Sequence, residues 1–182
     1  MIDALRRKGL HGVGLAEVVA RAQAPKGVLY HHFPGGKTEL AVAAVNAVVE
    51  YQRSSLEEAM RPPADPVAAL KTWLAGAQGQ LAQGNYEHGC PLATIALEST
   101  AQDTLIREAL ARGFAVLRAQ LAQGFEKTGV DSRRAEGLAA LLVSAYEGGL
   151  LQARVAGSLE PMQQMGESLF DLITQQLERE QS

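Results

Sequence analysis

A single cysteine, Cys90, stands in this chain of 182 residues. One thiol cannot close an intramolecular disulfide. That excludes a stapled secreted scaffold and fits a reducing cytoplasm. No apolar run reaches the roughly 18 residues of a membrane span. The N-terminus MIDALRRKGL is basic but has no apolar core of signal-peptide length. The chain is therefore read as soluble and cytoplasmic, with no membrane partner. Aromatic residues make up only 5%, and alanine, leucine, glutamine and glutamate fill their place, a bias towards helix. Strand-like alternation, internal repeats and low-complexity tracts are absent.

Hydrophobic residues make up 47%, ample for a buried core. The net charge of −3 argues weakly against a nucleic-acid partner, but it hides an asymmetry. Residues 1–46 hold Arg6, Arg7, Lys8, Arg21, Lys26 and Lys37 against Asp3, Glu17 and Glu39, a net +3, and residues 47–182 carry −6. Local charge is what a polyanion feels, so a small basic head on an acidic body is compatible with DNA.

Helical periodicity and breaker residues divide the chain. A short helix over 2–9 ends at Gly9. Leu15 to Arg21 forms a second, with Leu15, Val18 and Val19 at helical spacing. Ala22-Gln23-Ala24 is a tight link, and Pro25 suits the first turn of a third helix running to His32. Phe33-Pro34-Gly35-Gly36 breaks it. A long helix follows from Lys37 to about Met60, then the break Arg61-Pro62-Pro63-Ala64. Asp65 caps a fifth helix, with Pro66 at its first position, ending near Gly84. A loop leads to Cys90-Pro91 and a short helix to Ser99. Asp103 is expected to cap the next helix, whose stripe is Ile106, Leu110, Phe114, Leu117, Leu121 and Phe125. Asp131 caps another, to Gly157, and the last runs from Pro161 to Glu180. The fold class is all-α: a three-helix head over 1–46 and a helical bundle over 47–182.

Three short helices, the last two joined by a tight turn, suggest helix-turn-helix DNA binding. The segment GLAEVVARAQAPKGVLYHHFPGGKTEL, residues 14–40, is more specific. Its hydrophobic second helix, Lys26-Gly27, Leu29-Tyr30-His31-His32-Phe33, Lys37 and Glu39-Leu40 resemble the DNA-binding head of the TetR family of bacterial repressors. Ala24-Pro25-Lys26-Gly27 with Pro34-Gly35-Gly36-Lys37 looks like that family's LmrA/YxaF branch. The resemblance implies a regulator that binds palindromic double-stranded operator DNA as a homodimer and is released by an unidentified small-molecule inducer.

Pro25, Lys26, Gly27, Val28, Tyr30, His31 and Lys37 are the candidate DNA-binding residues. A short helix set proud of the surface fits a major groove about 12 Å wide. Lys26 can reach a phosphate, and Gly27 lets the backbone approach closely. Tyr30 either donates its hydroxyl to a phosphate or closes the small core; the resemblance places a DNA contact there. His31 can donate to a phosphate or base edge. Leu29 and Phe33, four apart, should pin the helix to the head. Lys37 and the start of the long helix together offer a phosphate site. Adjacent histidines on a helix point about 100° apart, so His31 and His32 do not form a metal site; no metal or cofactor is expected. The chain departs from the family pattern at Val13, Gly14 and Val28, where relatives usually carry Thr or Ser. Val28 can instead meet a thymine methyl. The first helix is also short for that family.

Trp73, Gln78, Cys90, Phe114, Tyr146 and Glu147 are candidates for an inducer pocket, apolar with a few polar groups. The segment Leu138 to Val155 is rich in small residues and, with the last helix, suits a four-helix dimer bundle, as the resemblance also implies. Leu142, Ala145, Gly149, Met165, Leu169, Leu172 and Ile173 are the candidate dimer contacts. Two rival readings remain: a redox-sensing regulator using Cys90, and a helical adaptor that binds only protein. Catalysis by Cys90 with His88 lacks a second histidine or an oxyanion motif, so the chain is not read as an enzyme.

Overall fold

The computed structural model describes residues 2–61 and 65–180, apart from the side chains of Asp3, Arg6, Lys8, Lys26, Arg179 and Glu180. The expected Pro62-Pro63-Ala64 break thus lies outside the described residues. Among the described residues there are nine helices and no strand: α1 (Ile2–Gly12), α2 (Leu15–Arg21), α3 (Lys26–His32), α4 (Gly36–Ala59), α5 (Pro66–Gln83), α6 (Pro91–Glu98), α7 (Thr104–Glu126), α8 (Ser132–Ala156) and α9 (Glu160–Glu180).

Local chemistry sets most of these boundaries. The Asp65 carboxylate accepts from the N–H groups of Val67 and Ala68, both at 3.2 Å, and Pro66 follows at a position needing no donor. Asp131 accepts from Arg134 N–H at 3.2 Å. Gly157 closes α8 in the left-handed region at φ 62°. Two expectations change. Helix α1 does not stop at Gly9 but breaks there, at φ 70° and ψ −176°, and resumes to Gly12. Asp103 stands just before α7, its main-chain oxygen accepting from Arg107 N–H at 2.9 Å, while its carboxylate turns back to accept from the Thr100 N–H and hydroxyl, both at 2.8 Å. Those two bonds hold its carboxyl below the usual aspartate range.

The chain packs as two units, one of residues up to Glu50 with His88–Phe114, the other of Tyr51–Glu87 with Ala115 onward. The first joins α1 to α3 and the front of α4 to α6 and the start of α7. The expected head over 1–46 is thus packed with a segment, 88–114, that lies far along the chain. Leu5, Val13, Val45, Leu92, Ile95 and Ile106 are fully buried in this unit. In the second unit α8 and α9 fold back on each other beyond Gly157 and α5 packs on α9. Glycines permit the close approach: a Cβ at Gly149 would stand 2.9 Å from Met165 Cε, and one at Gly166 2.8 Å from Leu74 Cδ2. The α7 stripe is buried at Ile106, Leu110, Leu117, Leu121 and Phe125, and half-buried at Phe114.

Removing the α5 cap gives a direct check on this reading of the boundaries. Asp65→Ala should lower unfolding stability by about 1 kcal/mol in urea titrations, while Asp65→Ser should retain most of it.

Candidate nucleic-acid interface and ligand cleft

The turn between α2 and α3 is built from the backbone. Ala22 N–H donates to Val18 at 3.0 Å and Ala24 N–H to Val19 at 3.2 Å. Gln23 takes the left-handed conformation, φ 51°, that tightens the link. Pro25 stands as the N-cap of α3, one residue before its first turn. Val18 and Val19 bury one face of α2.

Helix α3 is two-faced. Leu29 is buried, and Phe33, just past the helix, is half-buried. Pro25, Gly27 and His31 are exposed, with Val28 at 41% and Tyr30 at 59% exposure. Tyr30 therefore does not close the core; its ring and hydroxyl stand outside. His31 and His32 meet edge to face with ring centres 5.2 Å apart. Among the described residues no group of three or more His, Cys, Asp or Glu side chains is arranged to hold a metal ion. The Lys26 side chain lies outside the described residues.

Lys37 is half-buried, and its ammonium makes a long contact, 3.5 Å, with the carbonyl of His11. An ammonium has three donors, so this contact leaves others for a phosphate. The start of α4 is partly satisfied from within, because the Glu39 carboxylate accepts from Gly35 N–H at 2.8 Å. A phosphate placed at this end would meet the Lys37 ammonium and a helix start already partly occupied by Glu39. The glutamate three residues after Gly36 was the signal for this turn-back. The two departures before α2 also have structural roles: Val13 is buried, and Gly14 is an N-cap with no side-chain bond.

The second unit holds two adjoining clefts. One, of about 330 Å³ of empty space and partly open to solvent, is bounded by Gln52, Leu56, Trp73, Leu121, Tyr146 and Glu147. The other, of about 230 Å³, is apolar and includes Leu70, Trp73, Tyr146, Met165, Leu169 and Phe170. The Trp73 and Tyr146 rings, 4.9 Å apart at 50°, line both. The structure thus brings together Trp73, Tyr146 and Glu147 from the expected pocket. Gln78 lies outside both linings, and Cys90 and Phe114 belong to the first unit, Cys90 buried as the N-cap of α6.

Comparison with known proteins decides what this architecture is. Residues 2–44 match the tetR family of bacterial regulatory proteins, and residues 66–168 match the C-terminal domain of LmrA/YxaF-like transcriptional regulators. The chain belongs to the TetR family. It is 29% identical over 166 residues to the HTH-type transcriptional regulator LmrA of Bacillus subtilis, covering 91% of this chain and 88% of that one. An HTH-type transcriptional regulator of Mycobacterium tuberculosis is 31% identical over 178 residues, covering 95% and 90%. The fold is shared with the TetR regulatory protein of Rhodobacter sphaeroides, at a TM-score of 0.82 and 23% identity, with 93% of each chain covered. A TetR regulator of Legionella pneumophila aligns at a TM-score of 0.81 and 17% identity, covering 94% and 91%.

As a TetR-family transcriptional regulator, the chain has the fold of a protein that controls transcription rather than of an enzyme. No helix among the described residues is long and apolar enough to cross a membrane. The expected dimer contacts divide by burial. Leu142, Gly149, Leu169 and Ile173 are buried within the chain, where Leu142 and Leu169 line clefts and Gly149 receives Met165. Each packs against other helices of this chain. Ala145 and Met165 are half-buried, and Leu172 is exposed. A second row runs along α8, Leu141, Ser144, Gly148, Leu151 and Val155, spaced 3, 4, 3 and 4 residues apart; Gly148 is half-buried and the others are exposed. Leu151 is 51% and Val155 82% exposed.

The two faces of α3 should separate in mutants. Leu29→Ala should cost about 2–5 kcal/mol of stability, and Val28→Ala less than about 0.5 kcal/mol, in urea or thermal unfolding.

Proposed function

We propose that this TetR-family regulator is a ligand-responsive cytoplasmic repressor that binds palindromic operator DNA as a homodimer. Residues 1–46 serve DNA and residues 47–182 serve ligand and dimer. One observation carries the reading. Helix α3 turns Leu29 inward and leaves Gly27, Val28, Tyr30 and His31 as one exposed face. A rigid phenol, an apolar methyl pair and an imidazole donor suit phosphate, thymine methyl and base edge respectively. Lys26 and Lys37 add phosphate charge. The net +3 over residues 1–46 supports the same polarity.

A single head reads few base pairs, so two-fold symmetry is needed for specificity. The outward α8 row with Leu172 is the surface for that dimer. Its large apolar side chains are exposed, and space is open above Gly148 for a partner helix. The inducer site is the Trp73–Tyr146–Glu147 cleft, where rings supply apolar surface and a carboxylate and the Gln52 amide supply polarity. Release follows if the ligand favours a head spacing that DNA does not. Cys90 is buried, which denies an oxidant the access a thiol sensor needs.

Selection of binding sites from random duplex DNA by the purified protein tests the proposal. One palindromic motif should emerge, and compounds can then be screened for its release. Lys37→Ala should weaken binding across sequences and flatten the salt slope by about one. Leu151→Glu should sediment as a monomer and recover no motif. Selection of no motif by the parent protein would overturn the reading.

A further inference from the structure

The end of α1 is fastened to α6 by a reciprocal pair of contacts centred on Glu98. Gly9 lies at φ 70° and ψ −176°, a backbone region essentially closed to other residues. Two residues beyond the break, His11 N–H donates to Glu98 Oε2 at 2.8 Å. The same carboxylate fills the space that a Cβ at Gly9 would take. In return, His11 Nε2 lies 3.2 Å from the main-chain oxygen of Glu98, at the C-terminal end of α6 where carbonyls lack helical partners. The two residues are 87 apart in sequence.

The junction does not end at His11. Its carbonyl receives the Lys37 ammonium at 3.5 Å. Immediately beyond it, Gly12, Val13 and Gly14 lead into α2. A carboxylate at the end of α6 thereby bonds the backbone that leads into the helix-turn-helix, at the residue whose carbonyl Lys37 reaches at 3.5 Å.

We propose that Glu98, which lies far outside residues 1–46, is a positioning residue for DNA binding, acting through His11 on the Lys37 phosphate contact. This rests on the reading that Lys37 meets a DNA phosphate. Glu98 touches no DNA itself. Its carboxylate oxygen is required as an acceptor for one backbone N–H, so an amide oxygen at the same place should serve, whereas a methyl should not.

The experiment uses the full chain and the duplex recovered by selection. Glu98→Ala should lose about tenfold in affinity, the scale of one backbone donor left without its acceptor. Glu98→Gln should stay within about twofold of the parent, because it retains the acceptor. Combined with Lys37→Ala, Glu98→Ala should add little further loss, since both act on one contact. Amide hydrogen exchange on the parent protein should show His11 protected, and on Glu98→Ala it should show that protection lost. Unchanged affinity in Glu98→Ala, equal losses in Ala and Gln variants, or fully additive losses with Lys37→Ala would each overturn the proposal. An unprotected His11 amide in the parent would overturn it without any variant that must fold. Failure of the DNA reading shows separately, in the parent protein recovering no duplex, and the positioning role falls with it.

Discussion

Helix α3 has seven residues, too few to hold a helix in water unaided. Tertiary packing must supply what propagation cannot, and within the helix that rests on Leu29. Its burial orients the whole element. Once Leu29 points inward, the 100° step between residues sends Val28 and Tyr30 outward on either side of it. The outer face is thus a consequence of the inner one. The rest of the first unit exists in large part to provide that inner surface: α2 lies against α3, and α1, α4, α6 and the start of α7 enclose the core behind it.

The second unit solves a different problem with the same residue types. Its helices are long, so they need no rescue, and its small residues control distance. Inward glycines at 149 and 166 let α8 approach α9 and α9 approach α5. Outward Gly148 and Ser144 leave room on the opposite side of α8. Trp73 and Tyr146 stand against each other here, and both clefts are lined by their rings.

Elements whose cause is local were legible in the sequence. Asp65-Pro66, Asp131 and Gly157 announce helix ends through their own chemistry, and the α7 stripe declares its buried face. The outward residues of α3 were legible because a hydrophobic residue four from Phe33 leaves few ways to dock so short a helix. Causes distant in sequence were not legible. Gly9 reads as a stop, because nothing near it shows that Glu98 will accept from the His11 N–H beyond the break. Asp103 reads as a cap for α7, since the competing donors on Thr100 are equally close in sequence. On α8 the pattern fails for another reason. Apolar residues surround the helix, so periodicity cannot say whether Leu141 or Leu142 faces out; packing on α9 decides it, and Leu142 turns in.

The central claim is that the outer face of α3 meets DNA while its inner face stays in the core. Hydroxyl-radical footprinting of the protein, with and without a bound duplex, measures this residue by residue. Tyr30 and His31 should oxidise readily in the free protein and become protected on the duplex, while buried Leu29 stays unreactive in both. Tyr30 and His31 oxidising equally with and without bound DNA, with protection elsewhere on the chain, would contradict the account.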